Sequence, residues 1–130
     1  MKEITVLEKY PVLTIEISKK ETVYKNIDEI FAYLRKQIEV HPIATYIGEF
    51  DHYSHTTGLE EGKMSEEILD AKNIICCFGK VLPKPEVLAV RPRSIGVAEM
   101  KERFVVSFME APNPDANNAM KKWVEGISKL

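Results

Sequence analysis

Asp51-His52-Tyr53-Ser54-His55 is the densest run of chemically capable side chains in the chain. Imidazoles beside a carboxylate are donor types that zinc or another divalent transition metal accepts. His52 and His55, with Asp51 or Glu49, are therefore a candidate metal set. On an extended strand the two rings would face opposite ways, so sharing one ion requires a turn at Ser54. Together with Tyr53 these residues are also candidates for contacting a small ligand. The plainer alternative is a strand end whose polar groups are satisfied by ordinary hydrogen bonds.

Both cysteines, Cys76 and Cys77, lie in the apolar run Ile74-Ile75-Cys76-Cys77-Phe78. Either could supply a thiolate nucleophile or a metal ligand, with His52 as the base if the two strands pair. In an apolar run, however, cysteine is more often a small hydrophobe. Adjacent strand residues face opposite ways, so one thiol is expected against a helix, the other across the sheet, with no disulfide between them. A basic stretch follows, with Lys80, Lys84, Arg91, Arg93, Lys101 and Arg103. Around Pro83 to Arg93, Arg91 and Arg93 are placed to gather about a small anion, carboxylate or phosphate. No glycine-rich phosphate loop accompanies them, and solvated surface charge is the plainer alternative. His41 before Pro42 is a helix C-terminal residue meeting the dipole. Tyr33, Met120 and Trp123 fit helix packing and require no cofactor; the residues name no cofactor at all.

The elements that must position these groups follow from periodicity. Ile4–Leu7 and Val12–Ile17 read as strands interrupted by Tyr10-Pro11. Asn26 caps a helix whose stripe is Ile27, Ile30, Phe31, Leu34 and Ile38, with Glu29 completing the capping box. Thr45–Tyr53 reads as a strand and Ser54–Lys63 as a loop. Ser65 is expected to cap a short helix, stapled by Met64 against Leu69 and ending at Asn73. Asn73–Leu82 then reads as a strand buried on both faces. Pro83–Arg93 is a shaped connection in which Val87–Val90 makes one extended or helical turn.

Ile95–Met109 reads as a hairpin about Lys101-Glu102. It sets Ile95, Val97 and Glu99 across from Phe108, Val106 and Phe104, and Gly96 and Ala98 across from Ser107 and Val105. Asn113-Pro114 opens a last helix with the stripe Ala116, Ala119, Met120, Trp123, Val124, Ile127 and Leu130. Two helices with one apolar stripe each must cover sheet. The expected fold is α+β, an antiparallel sheet with amphipathic helices packed mainly on one face, and residues 1–130 form a single domain.

With 130 residues, 45% hydrophobic and 29% charged, the chain can bury one core. A net charge of −2 gives no reason to expect a nucleic-acid partner. No run approaches the ~18 apolar residues of a membrane helix, so no membrane partner is expected. Free thiols without a secretory signal point to the cytoplasm.

This order of parts resembles the bacterial family called domain of unknown function 302. The likeness rests on an opening strand and amphipathic helix, then Phe50-Asp51-His52. It continues through Ile75-Cys76-Cys77-Phe78-Gly79, a Pro-led segment and a hairpin. Family members continue Phe-Gly with Asn-Pro, where this chain has Lys80-Val81. The resemblance implies an α+β fold and a self-associating small protein, and no established reaction. A second likeness is to small-molecule effector-binding domains of the multidrug-regulator type.

The expectation is thus an uncharacterised small cytoplasmic domain that binds a small ligand or a partner. A homodimer is expected through the last helix or the sheet face bearing Gly96, Ala98, Val105 and Ser107. One alternative is a metal-binding protein or enzyme using His52 and His55 with Cys76 or Cys77. Another is a structural self-associating subunit. Any site is expected where the strand ending near His52 meets Phe78-Gly79, because Gly79 lets another group approach the backbone.

Overall fold

The computed structural model describes residues 1–128. Its strands are β1 (Lys2–Val6), β2 (Tyr10–Ser18), β3 (Thr45–Phe50), β4 (Asp70–Cys77), β5 (Arg93–Glu99) and β6 (Arg103–Met109). Its helices are α1 (Ile27–Val40), α2 (His52–Thr57) and α3 (Pro114–Glu125). The strands form one six-stranded sheet in the order β1-β2-β6-β5-β4-β3, antiparallel throughout. The α+β class is as expected.

α1 forms as its sequence dictates. Asn26 Oδ1 accepts from the Glu29 N–H at 2.9 Å, and Glu29 Oε1 accepts from the Lys25 N–H at 2.9 Å. Ile27, Ile30, Phe31, Leu34 and Ile38 are all buried. α3 starts at Pro114 behind the Asn113 cap, and buries Ala116, Met120, Trp123 and Val124. Ile127 is buried beyond the helix end at Gly126; Leu130 lies outside the described residues. The core between helices and sheet takes Leu13 and Ile17 from β2, Ile74 and Cys76 from β4, Ile95 and Val97 from β5, and Phe104, Val106 and Phe108 from β6.

The β5–β6 register matches the expected hairpin: Gly96 pairs with Ser107, Val97 with Val106, Ala98 with Val105 and Glu99 with Phe104. Strand alternation then puts Asn73, Ile75, Gly96, Ala98, Val105 and Ser107 on the face away from the core, where all are half-buried. β4 is therefore buried on one face, not two. Its outward face is polar enough to stay wet, with Asn73 Nδ2 donating to Ser94 Oγ at 2.8 Å.

Four boundaries differ from expectation. The reversal between β1 and β2 falls at Leu7 and Glu8, both at positive φ (52° and 62°), so Tyr10-Pro11 lie inside β2. The Lys9 N–H donates to the Val6 carbonyl across these residues, as in a primed hairpin turn, whose twist matches the strands. β3 stops at Phe50, because Asp51 caps α2 where strand and loop were expected. The helix expected from Ser65 does not form. That segment is a turn, with the Ile68 N–H donating to the Ser65 carbonyl, and Leu69 is exposed. β4 instead begins at Asp70 and pairs there with Glu99, so ladder pairing along β5 overrides local helix propensity.

Candidate functional site: a groove beyond the end of β4

The cluster from Asp51 to His55 is a local structure on the surface. Asp51 Oδ1 accepts from the Ser54 N–H and Oδ2 from the Ser54 hydroxyl, both at 3.0 Å. This bonding holds the Asp51 carboxyl below the ordinary carboxylate range, against slight desolvation and with help from the Lys72 charge. The turn puts His52 and His55 on one side of α2, where each ring lies 5.5 Å from the Phe50 ring. His52 Nδ1 also shares a 2.9 Å hydrogen bond with the Thr56 hydroxyl. Both histidines are exposed and Tyr53 is half-buried.

This cluster is remote from the thiols. β3 and β4 do pair, but antiparallel, with Phe50 opposite Asn73 and Thr45 opposite Cys77. His52 therefore lies near the start of β4, and Cys77 is four residues past Asn73, roughly 13 Å away at strand rise. The expected meeting of His52 with Phe78-Gly79 does not occur. Among the described residues, no three His, Cys, Asp or Glu side chains converge to hold a metal ion. Cys76 is buried in the core and Cys77 half-buried on the other face; both are free. Burial pushes the Cys76 thiol up to about 11, Cys77 adds to this, and the Arg93 charge opposes it. A protonated, core-facing thiol is a packing group.

At the other end of β4, a groove is assembled from parts distant in sequence. Phe78 forms one wall, Val87, Val90 and Arg91 of the Pro-led connection another, and Ala111, Pro112, Asn113 and Ala116 at the start of α3 the third. It encloses about 300 Å³ and includes Arg93. A second hollow of about 350 Å³ shares Phe78, Arg91, Asn113 and Ala116 and is also lined by His41, Lys80 and Asp115.

Each wall has a local cause. The connection coils as a 3-10 segment at Pro85–Val90, with proline at its start where no N–H is needed. Phe78 is stacked on Trp123 at 5.5 Å, and the His41 ring meets both edge-on at 5.4 and 5.8 Å. His41 Nδ1 accepts from the Ile43 and Ala44 N–H groups, each at 3.1 Å. Its ring thus ties the helix end to the turn that leads into β3. At Gly79 a Cβ would lie 3.2 Å from Cys77 Sγ and 3.3 Å from Arg91 Nη1. Glycine there admits the arginine, which donates to the Val81 carbonyl at 2.7 Å.

Arg93 is the most constrained group of the groove. It is 8% exposed. Its guanidinium donates to the carbonyls of Val90, Met109 and Glu110. Nε–H is buried without an acceptor, and burial pulls the group below the ordinary arginine range. Asn117 Oδ1 accepts from the Ala111 N–H at 3.0 Å and fixes the neighbouring loop.

Of the expected site residues, the fold brings Arg91 and Arg93 together here, with Cys76 paired across from Arg93. The histidine cluster is left elsewhere. Phe78 was expected at a site, but with His52 as its neighbour; His41 and Asn113 were not among the expected site residues. In sequence the three signals were a strand end and two helix caps, none of which announces a shared hollow.

No curated protein matches the chain. Among solved structures, it is similar to an uncharacterized conserved protein of the DUF302 family from Bacillus stearothermophilus. The identity is 11% and the TM-score 0.56, over 90% of this chain and 94% of that one. This supports the DUF302-like fold that the short motifs suggested. The family model that matches is a different one, covering residues 1–129, and the chain belongs to that family of unknown function, DUF6858.

Proposed function

We propose that this is a small-molecule-binding domain whose site is the groove between Phe78, the Pro85–Val90 segment and the start of α3. The observation that carries this reading is the convergence of apolar walls and two arginines around about 300 Å³. That is the scale and composition of a small-ligand pocket. A neutral naphthylamine, N-phenyl-1-naphthylamine, tests it. Saturable fluorescence enhancement is expected with the native chain and its loss in Val87→Trp, which fills the groove from a wall outside the core. Absence of saturable binding, or undiminished binding in a folded Val87→Trp variant, would reject the site.

The domain is also proposed to pair with a second copy through the open sheet face. Gly96, Ala98 and Ser107 allow close approach there, while Ile4, Tyr10 and Met109 add exposed apolar surface. Six strands at ~4.8 Å spacing and ~20 Å length offer on the order of 600 Å² of projected area. A standard interface needs about 800 Å² of accessible surface per partner, so the two are comparable. A reducing, cytoplasmic setting would keep both thiols free. An enzyme joining His52 or His55 to the thiols has no support in this geometry.

A further inference from the structure

We infer that the ligand of this groove is a small monocarboxylate, with its apolar body against Phe78 and Ala116 and its carboxylate toward Arg91 and Arg93. The inference rests on the groove being the binding site. Its basis is an uncompensated cation. Arg93 is more than nine-tenths buried and lines the groove, yet no carboxylate lies within ion-pair distance of it among the described residues.

The plain role of Arg93 is structural, since its three backbone bonds fasten the end of β6 to the connection. That role accounts for the hydrogen bonds and leaves the charge unmatched. Carbonyl dipoles satisfy N–H groups without neutralising a buried guanidinium, and Nε–H still has no acceptor. A bound anion beside the groove wall supplies the missing counter-charge.

Two further features favour an anion. Arg91 spends one nitrogen on the Val81 carbonyl and stands beside the same groove. The start of α3, a twelve-residue helix, borders it through Asn113 and Ala116, adding the positive end of the helix dipole. Asp115 on the adjoining rim opposes this, and Lys80 on the same rim offsets it. The apolar lining selects against small inorganic anions, which would leave Phe78, Val87 and Ala116 uncovered.

Calorimetry at pH 7.5 with octanoate, octanol and octylammonium tests the inference on the full chain. Octanoate is expected to bind at least about tenfold more tightly than octanol, the scale of one charge-assisted hydrogen bond. Octylammonium should be the weakest. Arg91→Gln, on a half-exposed side chain that leaves the core intact, should shrink the octanoate advantage over octanol several-fold. Arg93→Lys, checked for folding by circular dichroism, should do the same because lysine lacks the guanidinium fork. Equal binding of octanoate and octanol would overturn the carboxylate assignment, as would an advantage indifferent to Arg91→Gln. If the neutral naphthylamine binds but octanoate does not, the groove stands and the assignment falls. If neither binds, both fall.

Discussion

Cys76 and Arg93 stand directly opposite each other on β4 and β5, a thiol and a guanidinium sharing the buried side of the sheet. Burial raises the thiol and lowers the arginine. Desolvation therefore outweighs the attraction a thiolate would feel for Arg93, and the pair rests as neutral thiol and lone cation. With Cys76 near 11, only about one molecule in a thousand carries its thiolate at pH 8.

Alkylation separates the two cysteines. Iodoacetamide at pH 8 should add once to the native protein, at half-buried Cys77, and a second time only in denaturant. Peptide mass spectrometry reads the sites. Labelling of Cys76 in the folded protein as fast as Cys77 would contradict its placement in the core.

The Asp51 cap gives α2 a pH dependence with a definite sign. Its folded carboxyl sits below the ordinary value of 3.8, chiefly through the Ser54 N–H. The stabilisation is therefore fully present above that value and lost as pH falls through the lower folded value. Protection of the Ser54 and His55 amides, each rate taken relative to that of an unstructured peptide at the same pH, should hold from neutrality down to the ordinary carboxylate range and then fall. Asp51→Ala should show the lower protection already at pH 7. Unchanged exchange in the variant would mean the cap does not hold α2.

Replacing Asn26 with Ala removes the acceptor for the Glu29 N–H at the start of α1. A loss of about 1 kcal/mol in urea unfolding is expected, the usual weight of such a cap. Glu29→Ala, which removes the reciprocal bond to the Lys25 N–H, should cost less because alanine is the better helix former and offsets part of the lost bond. A Glu29 effect exceeding that of Asn26 would reverse this ranking.

Ala98→Glu places a charge at the centre of the open sheet face. Sedimentation at tens of micromolar should show a dimer for the native chain and a monomer for the variant. A native monomer at that concentration would remove the proposed pairing.

The sequence made legible what depends on neighbours. α1 and α3 followed from caps and stripes, and the β5–β6 register followed from alternation about a short turn. It failed where distant pairing decides. Ser65 looks like a helix cap, but Asp70 is claimed by Glu99 across the sheet. Asp51-His52 looks like a strand end, although Asp51 followed three residues later by Ser54 has the spacing of the cap that forms. The groove was least visible, because His41, Phe78, Arg91, Arg93 and Asn113 meet only after the sheet is built. Arg91 and Arg93 announced themselves as charges flanking a proline, and Phe78 as the end of an apolar strand before Gly79.

Amide chemical-shift mapping with octanoate tests the central claim most directly. Progressive, saturable shifts are expected to cluster at Phe78, Gly79, Arg91, Arg93, Asn113 and Ala116, with the Trp123 indole N–H responding through its stack on Phe78. The amides of Asp51 to His55 should stay still. Saturable shifts confined to Asp51–His55 or to the open sheet face, with the groove silent, would contradict the account.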